Sequence, residues 1–458
     1  MGCGKREQAK ATPDASANKL FVEAVQLITS AEKETGEAAI KDYEQALVKL
    51  EGIIANYSDS DLAVKLIANE TLFTGKSLKE IKERVAELKR ITSAISLQKR
   101  FLAGELTKAD MEKVTSLKVG PNQLTDVKRL EKLTQLTVLY LFRNQLTDVK
   151  GLENLMKLES LYFWGNKLTS VKGLEKLTKL RVLGLNESQL TELPKGLENL
   201  TQLLELNLAD NQLAEVPKGL EKLTQLTRLH LANNQLTDVT GLEKLTQLEN
   251  LNLSNNELTS VKGLEKLVKL EELHLDDNQL ASVKGLEKLW QLEKLHLDSN
   301  QLNDVKGLEK LTQLKMLVLS NNKLADVKNL EELNQLTRLY LGFNKLTSAK
   351  GLEKLDQLTS LWLEANKLTD LKGLEKLVKL EELHLDGNQL TDAKDLENLT
   401  KLESVYLNDN KLTSVKGLKK LAQLKELWLE DNPDLTKAQI DELKKALPKC
   451  KIISNPTK

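Results

Sequence analysis

One phrase, Leu-x-Leu-x-x-Asn or a close variant, recurs fifteen times between Val114 and Asn432. The copies close at Asn122, Asn144, Asn166, Ser188, Asn211, Asn234, Asn256, Asn278, Asn300, Asn322, Asn344, Asn366, Asn388, Asn410 and Asn432. Twelve of the fourteen steps are 22 residues and two are 23, so the register is nearly strict. A unit this short cannot bury its own apolar face, and only stacking against its neighbours completes a core. A chain of this kind offers a long continuous surface rather than an enclosed catalytic pocket.

The unit from Gln145 to Asn166 shows how each copy folds. Its apolar residues are Leu146, Val149, Leu152, Leu155, Leu158, Leu161 and Phe163. Steps of three followed by a step of two fit neither an amphipathic helix nor a plain strand. They fit a coil that turns its inward residues to one axis and straightens into a strand at Leu161-Tyr162-Phe163. Neighbouring coils then stack their strands in parallel, ~4.8 Å apart. The asparagine points inward, where its amide can serve both donors and acceptors of the turning backbone. The two 23-residue units carry Leu193-Pro194-Lys195-Gly196 and Val216-Pro217-Lys218-Gly219, and a local change of curvature is expected there.

The run Leu-x-x-Leu-x-Leu-x-x-Asn-x-Leu over residues 114–432 resembles the leucine-rich repeat, and the 22-residue length is similar to the internalin and phosphatase-regulator type. The resemblance implies an α/β solenoid: a horseshoe with a concave parallel β-sheet and 3-10 or extended segments on the convex side. Internalins often add an immunoglobulin-like domain and a wall-sorting signal, and related ubiquitin-ligase effectors add a catalytic cysteine domain. Neither addition is visible in this sequence.

The flanks divide the rest. Residues 1–17 read as a flexible tether, 18–104 as an α-helical domain, 105–432 as the array with an N-terminal cap helix, and 433–458 as a C-terminal cap helix and tail. In the helical region Ala39, Tyr43, Ala46, Leu47, Leu50, Ile53, Ile54 and Tyr57 recur at three- and four-residue steps, placing them on one face. Breaks at Thr35-Gly36, Tyr57-Ser58-Asp59 and Thr74-Gly75 give about four helices. The segment from Asp42 to Ala63 resembles tetratricopeptide-like hairpins of bacterial envelope proteins. Thr107 is expected as the N-cap of a short helix to Lys113, with Asp110 in its first turn. Thr436 and Gln439 have capping-box spacing, followed by the stripe Ile440, Leu443, Ala446 and Leu447. Both ends of the solenoid are therefore expected to be capped.

Met1-Gly2-Cys3-Gly4-Lys5 resembles the junction of a bacterial lipoprotein, in which Cys3 carries the lipid and a tether follows. The basic and apolar parts of a signal peptide are missing. A plain cytosolic start, and N-myristoylation at Gly2 with palmitoylation at Cys3, are the rival readings. Lys plus Arg and Asp plus Glu both total 67, so the charge balance gives no support to a nucleic-acid partner. A membrane is expected as a partner only through lipid on Cys3. Cys3 and Cys450 are the two cysteines and cannot build a disulfide framework.

Residues four and two before each asparagine share one side of the strand and face outward. The first of these columns holds Tyr140, Tyr162, His230, His274, His296, Tyr340, Trp362, His384, Tyr406 and Trp428, among them all four histidines of the protein. The surrounding Gly-Leu-Glu-Lys-Leu-Thr-Gln-Leu repeats almost verbatim, so this column varies where folding does not require it. Aromatics with polar handles are the stuff of binding hot spots. Tyr140, Phe142, Tyr162 and Trp164 make one group; Tyr340, Trp362, His384, Tyr406 and Trp428 make a longer ladder, ~38 Å further along. Positions six, four, two and one before the asparagines hold fourteen acids against five bases, Asp276, Asp298, Glu364 and Asp386 among the acids. That charge suits a protein partner with a basic contacting surface. Lysines such as Lys150, Lys172 and Lys262, followed by Glu153, Glu175 and Glu265, are expected to pair with each other along an outer edge.

The sequence is thus read as a non-catalytic scaffold on a bacterial envelope, binding a partner through these aromatic, histidine and acidic residues, His230 excepted. A glycan-binding adhesion module and a cytosolic regulatory adaptor are the alternatives. No catalytic residue and no cofactor are expected. His274, Asp276, His296 and Asp298 lie on adjacent strands, where the spacing permits a divalent metal without demanding one. No phosphate-binding glycine loop or nucleophile elbow is present.

Overall fold

The structure, a computed structural model, describes residues 13–56, 61–68 and 76–455. Cys3, Tyr57 and the break at Thr74-Gly75 lie outside the described residues. The chain divides into two compact units, Met1–Lys113 and Val114–Lys458.

The first unit is helical, with α1 (Pro13–Ala31), α2 (Gly36–Asn56), α3 (Asp61–Ile67), α4 (Leu78–Ala103) and α5 (Lys108–Met111). Helix α1 begins inside the stretch read as a tether. Proline suits the first turn of a helix, whose N–H groups lack partners anyway, and Ala17 is already fully buried. Helix α2 packs on both α1 and α4, around Ala24, Ile28, Tyr43, Leu50, Ile53 and Ile81. Of the expected α2 face, Ala39, Tyr43, Ala46, Leu50 and Ile53 are buried and Leu47 and Ile54 partly so. Helix α4 opens on a Ser77–Glu80 capping box and stops at Gly104, whose φ of 76° few other residues adopt as readily. Thr107 caps α5 as expected. Asp110 there accepts from the Thr107 hydroxyl and from Arg100 at 2.5 Å, which together hold its carboxyl down at about 2.

The second unit is one open sheet of sixteen parallel strands, in chain order and joined neighbour to neighbour. Fifteen of them, from β1 (Ser116–Lys118) to β15 (Glu426–Trp428), are the repeats. Each holds three residues and ends four before its asparagine, so the strand of the sample unit is Ser160–Tyr162, one residue earlier than expected. The sixteenth, β16 (Lys451–Ile453), was not foreseen: it pairs with β15 beyond the cap helix α6 (Lys437–Ala446). Helix α6 has its Thr436–Gln439 capping box and buries Ile440, Leu443 and Leu447, whereas Ala446 is exposed. Among the described residues no helix is long and apolar enough to cross a membrane.

The repeat's fixed residues divide the labour of folding. Leu146, Leu152, Leu155, Leu158, Leu161 and Phe163 are fully buried, each contributing roughly 1.5–3 kcal/mol once the next coil covers it. From Asn144 to Asn432 each asparagine ties two coils together. Asn256 Nδ2 donates to Leu231 O of the preceding coil (3.0 Å) and Leu253 O of its own (3.1 Å), while its Oδ1 accepts from Leu236 N–H (3.0 Å). Ser188 is too short for that span, and its hydroxyl reaches Asn186 O (3.1 Å).

A second ladder runs along the outer edge and corrects the expected lysine–glutamate pairing. Glu153, Glu175 and Glu265 accept from the N–H groups of Gly151, Gly173 and Gly263, each at 2.6 Å. Those glycines have φ of 102°, 107° and 114°, a conformation that starts the outer turn, a 3-10 helix after Gly173 and Gly263, and aims their N–H groups at the side chain two residues on. Backbone N–H donors hold Glu153 and Glu265 below the usual carboxylate range. Lys150 pairs instead with Asp148 at 3.5 Å, in solvent.

Candidate binding face

Strand alternation fixes what faces outward. In Glu272–His274, Glu382–His384 and Glu426–Trp428 the middle leucine is buried and its flanking residues are half-buried. Because the strands pair in register, equivalent residues lie side by side: Trp362 opposite His384, and His384 opposite Tyr406. The variable column of the sequence is therefore one continuous row on one face of the sheet.

That row is stacked. Tyr340 meets Trp362 tilted at 57°, with centroids 5.2 Å apart; Trp362 and His384 stack at 4.0 Å, His384 and Tyr406 at 4.1 Å, Tyr406 and Trp428 at 6.0 Å. From Trp362 to Trp428 the ring faces are thereby turned towards one another. Glu382 organises the middle of the ladder. It accepts from Ser360 Oγ (3.0 Å), which in turn accepts from Trp362 Nε1 (3.2 Å), and it holds His384 Nε2 at 3.0 Å. Burial raises Glu382, but the hydrogen bonds from His384 and Ser360 outweigh it and leave the carboxyl below its usual range.

The earlier aromatic group is a two-by-two block. Tyr140 stacks on Tyr162 at 4.7 Å and Phe142 on Trp164 at 4.5 Å. Lys118 and Arg143 already cover it, 5.0 Å over Phe142 and 4.9 Å over Trp164. Gly184 leaves a gap where the next rung would stand, so the stacked row stops at Tyr162.

The carboxylates between the rings have environments of their own. Burial raises Glu364 and Asp386, and burial with the neighbouring charge of Asp276 raises Asp298 to about 6. Glu364 folds over Gly342, where a Cβ would stand only 2.0 Å from its Oε1. Among the described residues three buried side-chain polar atoms have no hydrogen-bond partner: Asp276 Oδ1, Glu364 Oε2 and Trp428 Nε1. All three belong to this face. Further along, His274 and His296 stack at 4.3 Å, and burial lowers His296 and His230.

Coils of 22 residues, a parallel sheet of three-residue strands, 3-10 turns and an asparagine ladder together define a leucine-rich-repeat solenoid, and the chain belongs to the leucine-rich-repeat family. The model of the leucine-rich repeat region matches residues 164–304, and that of leucine-rich repeats in two copies matches 290–332, 334–376, 356–399, 378–419 and 400–445. Within the family the chain is internalin-like. It is 31% identical to an internalin from Listeria monocytogenes, covering 68% of this chain and 94% of that one at a TM-score of 0.62. It is 30% identical to a leucine-rich-repeat protein of Leptospira interrogans, covering 75% and 97% at a TM-score of 0.66. A plant peptide hormone receptor shares the fold at 24% identity and a TM-score of 0.60, over 76% of this chain and 60% of its own. No curated protein matches in sequence. Proteins of this family are generally non-catalytic, and their solenoids commonly mediate protein–protein interaction.

Proposed function

We propose that the chain is a protein-binding scaffold whose outward sheet face, over the rungs from Tyr340 to Trp428, receives a segment of a partner rich in lysine or arginine. The observation that carries this reading is Glu364 Oε2, an acceptor buried on that face without a hydrogen-bond partner. Native interiors leave few such groups, because each costs roughly 1–3 kcal/mol, and a cationic side chain from outside would satisfy Glu364 and neutralise Asp386. The acidic excess of the same face supports fast encounter with a basic partner. Stacking supports protein over glycan as the ligand, since sugar rings pack on aromatic faces and those of the ladder from Trp362 to Trp428 are turned towards one another. Tyr140, Phe142, Tyr162 and Trp164 form a secondary contact, already supplied with its own cations.

We further propose that lipid on Cys3 holds the scaffold at a bacterial envelope, on the pattern Met1-Gly2-Cys3-Gly4. Labelling with an alkyne fatty acid is expected to mark the wild type and not Cys3→Ser; equal labelling would reject the anchor. For the face, partners recovered by the wild type are compared with those of Trp362→Ala/Tyr406→Ala. Loss of a basic protein from the variant is expected. Identical partner sets, or saturable binding on a glycan array in its place, would overturn the reading.

A further inference from the structure

Two copies of one pentapeptide, Glu-Leu-His-Leu-Asp, occupy the sheet face at residues 272–276 and 382–386. In both, the glutamate holds the histidine: His274 Nε2 lies 2.8 Å from Glu272 Oε1, and His384 Nε2 lies 3.0 Å from Glu382 Oε1. An ionised carboxylate only accepts, so in the neutral ring the proton sits on Nε2 and the lone pair on Nδ1. From there the copies diverge. Asp386 Oδ1 accepts from Asn408 N–H at 3.0 Å, and the next strand offers Tyr406 against His384. Asp276 Oδ1 is buried without a hydrogen bond, 3.9 Å from His274 Nδ1, and the next strand offers a second imidazole, His296.

At the first copy, then, two lone pairs face each other with no proton between them, beside a third donor. One ligand atom from each of His274, Asp276 and His296 lies within 4.8 Å of the other two. Lys294, on the neighbouring strand, is engaged by Glu272 at 3.1 Å. We propose that His274, Asp276 and His296 bind a divalent first-row transition-metal ion, with Glu272 as the positioning residue that aims His274. Metal–ligand bonds of ~2.0–2.2 Å mean that the histidine–aspartate gap is already close to the span of one ion. The stacked His296 ring closes the remainder by turning about its side-chain bonds. Two nitrogens and one carboxylate oxygen suit zinc, nickel or copper over calcium or magnesium. A glutamate on the far nitrogen of a ligating histidine is the usual outer support of such sites. Positions left on the ion face solvent and are open to water or to a donor group of another molecule.

The inference does not depend on the basic-partner reading. The test is calorimetric titration of the tag-free full chain with nickel chloride. One saturable site per chain is expected, weakened at least tenfold in His296→Ala and in Asp276→Asn and unchanged in His384→Ala, which alters the sister copy. Absence of a saturable site would overturn the proposal, as would equal weakening by His384→Ala. Should either variant fold poorly, the wild type decides alone. Nickel is then expected to broaden the imidazole resonances of His274 and His296 before those of His230 and His384, and uniform broadening of all four would reject the site.

Discussion

Each asparagine of the ladder spends its whole amide on backbone, and the cost of losing one follows from what it leaves behind. In Asn256→Ala the Leu236 N–H stays buried without its acceptor, while the Leu231 carbonyl keeps Asn234 Nδ2 at 3.1 Å, so a local loss of about 1–3 kcal/mol is expected. Hydrogen exchange at the Leu236 amide would show it as faster opening; an unchanged rate would mean that water replaces the amide. Asp298 works in the opposite sense. Its carboxyl is raised to about 6 in the fold against ~3.9 in an unfolded chain, so the native state binds the extra proton and stability falls as pH rises between those values. Asp298→Asn is therefore expected to stabilise the fold by on the order of 1 kcal/mol at pH 7, after allowance for solvent screening. At pH 4 it should do almost nothing. Thermal melts at the two pH values, with chelator present, check the sign.

At the scale of the element, the 3-10 turns separate what could be read in the sequence from what could not. The leucine and asparagine frame was legible because its period is burial itself: Leu146 to Phe163 are inside wherever the coil turns. The glutamate cap was not. Glu287 stands between Lys284 and Lys288 and looks like ordinary charged surface, and only the positive φ of Gly285 reveals that its carboxylate meets the turn's own N–H at 2.6 Å. Replacing Glu287 with alanine should cost a detectable amount at the lower end of the ~0.5–2 kcal/mol range of a lost helix cap, and replacing Lys284 nothing measurable. Equal effects in denaturant melts would restore the paired-edge reading. The glutamate is held below its usual range, so its contribution is present at neutral pH and lost as pH falls through that lowered value. The placement of the variable column in one row was equally legible, whereas its stacking and the space filled by Glu364 depend on side-chain torsions and on Gly342. Gly342→Ala is expected to expel the Glu364 carboxylate, weakening a basic partner roughly tenfold, the worth of ~1.4 kcal/mol. The melting temperature should barely move, because the displaced group is the free end of a flexible side chain.

For the molecule as a whole, the repeats set the length of the sheet and its ends must be closed by other means. Strand β16 escaped the sequence reading because it stands outside the repeat, with Ile453 opposite Trp428 at an offset of 25 residues. It covers the edge of β15 through Leu429 N–H to Ile453 O (2.8 Å) and Lys451 N–H to Lys425 O (2.8 Å). Truncation after Lys449 would lay that edge bare, and unpaired edges recruit other chains. Light scattering is expected to show larger species for the truncated protein at concentrations where the full chain stays monodisperse.

The in-register pairing of the rungs has one more consequence, for measurement at a distance. Rungs succeed one another every ~4.8 Å, whereas one side of an extended polypeptide presents a side chain only every ~6.8 Å. A segment crossing the strands and the sheet beneath it therefore carry unequal rulers, which agree at one rung, drift apart, and agree again about seven rungs on. Only certain intervals between chemically distinct rungs can be met at once by a rigid extended chain. The face then distinguishes ligands by how far apart their charges are placed, as a vernier reads a fraction that neither scale carries alone.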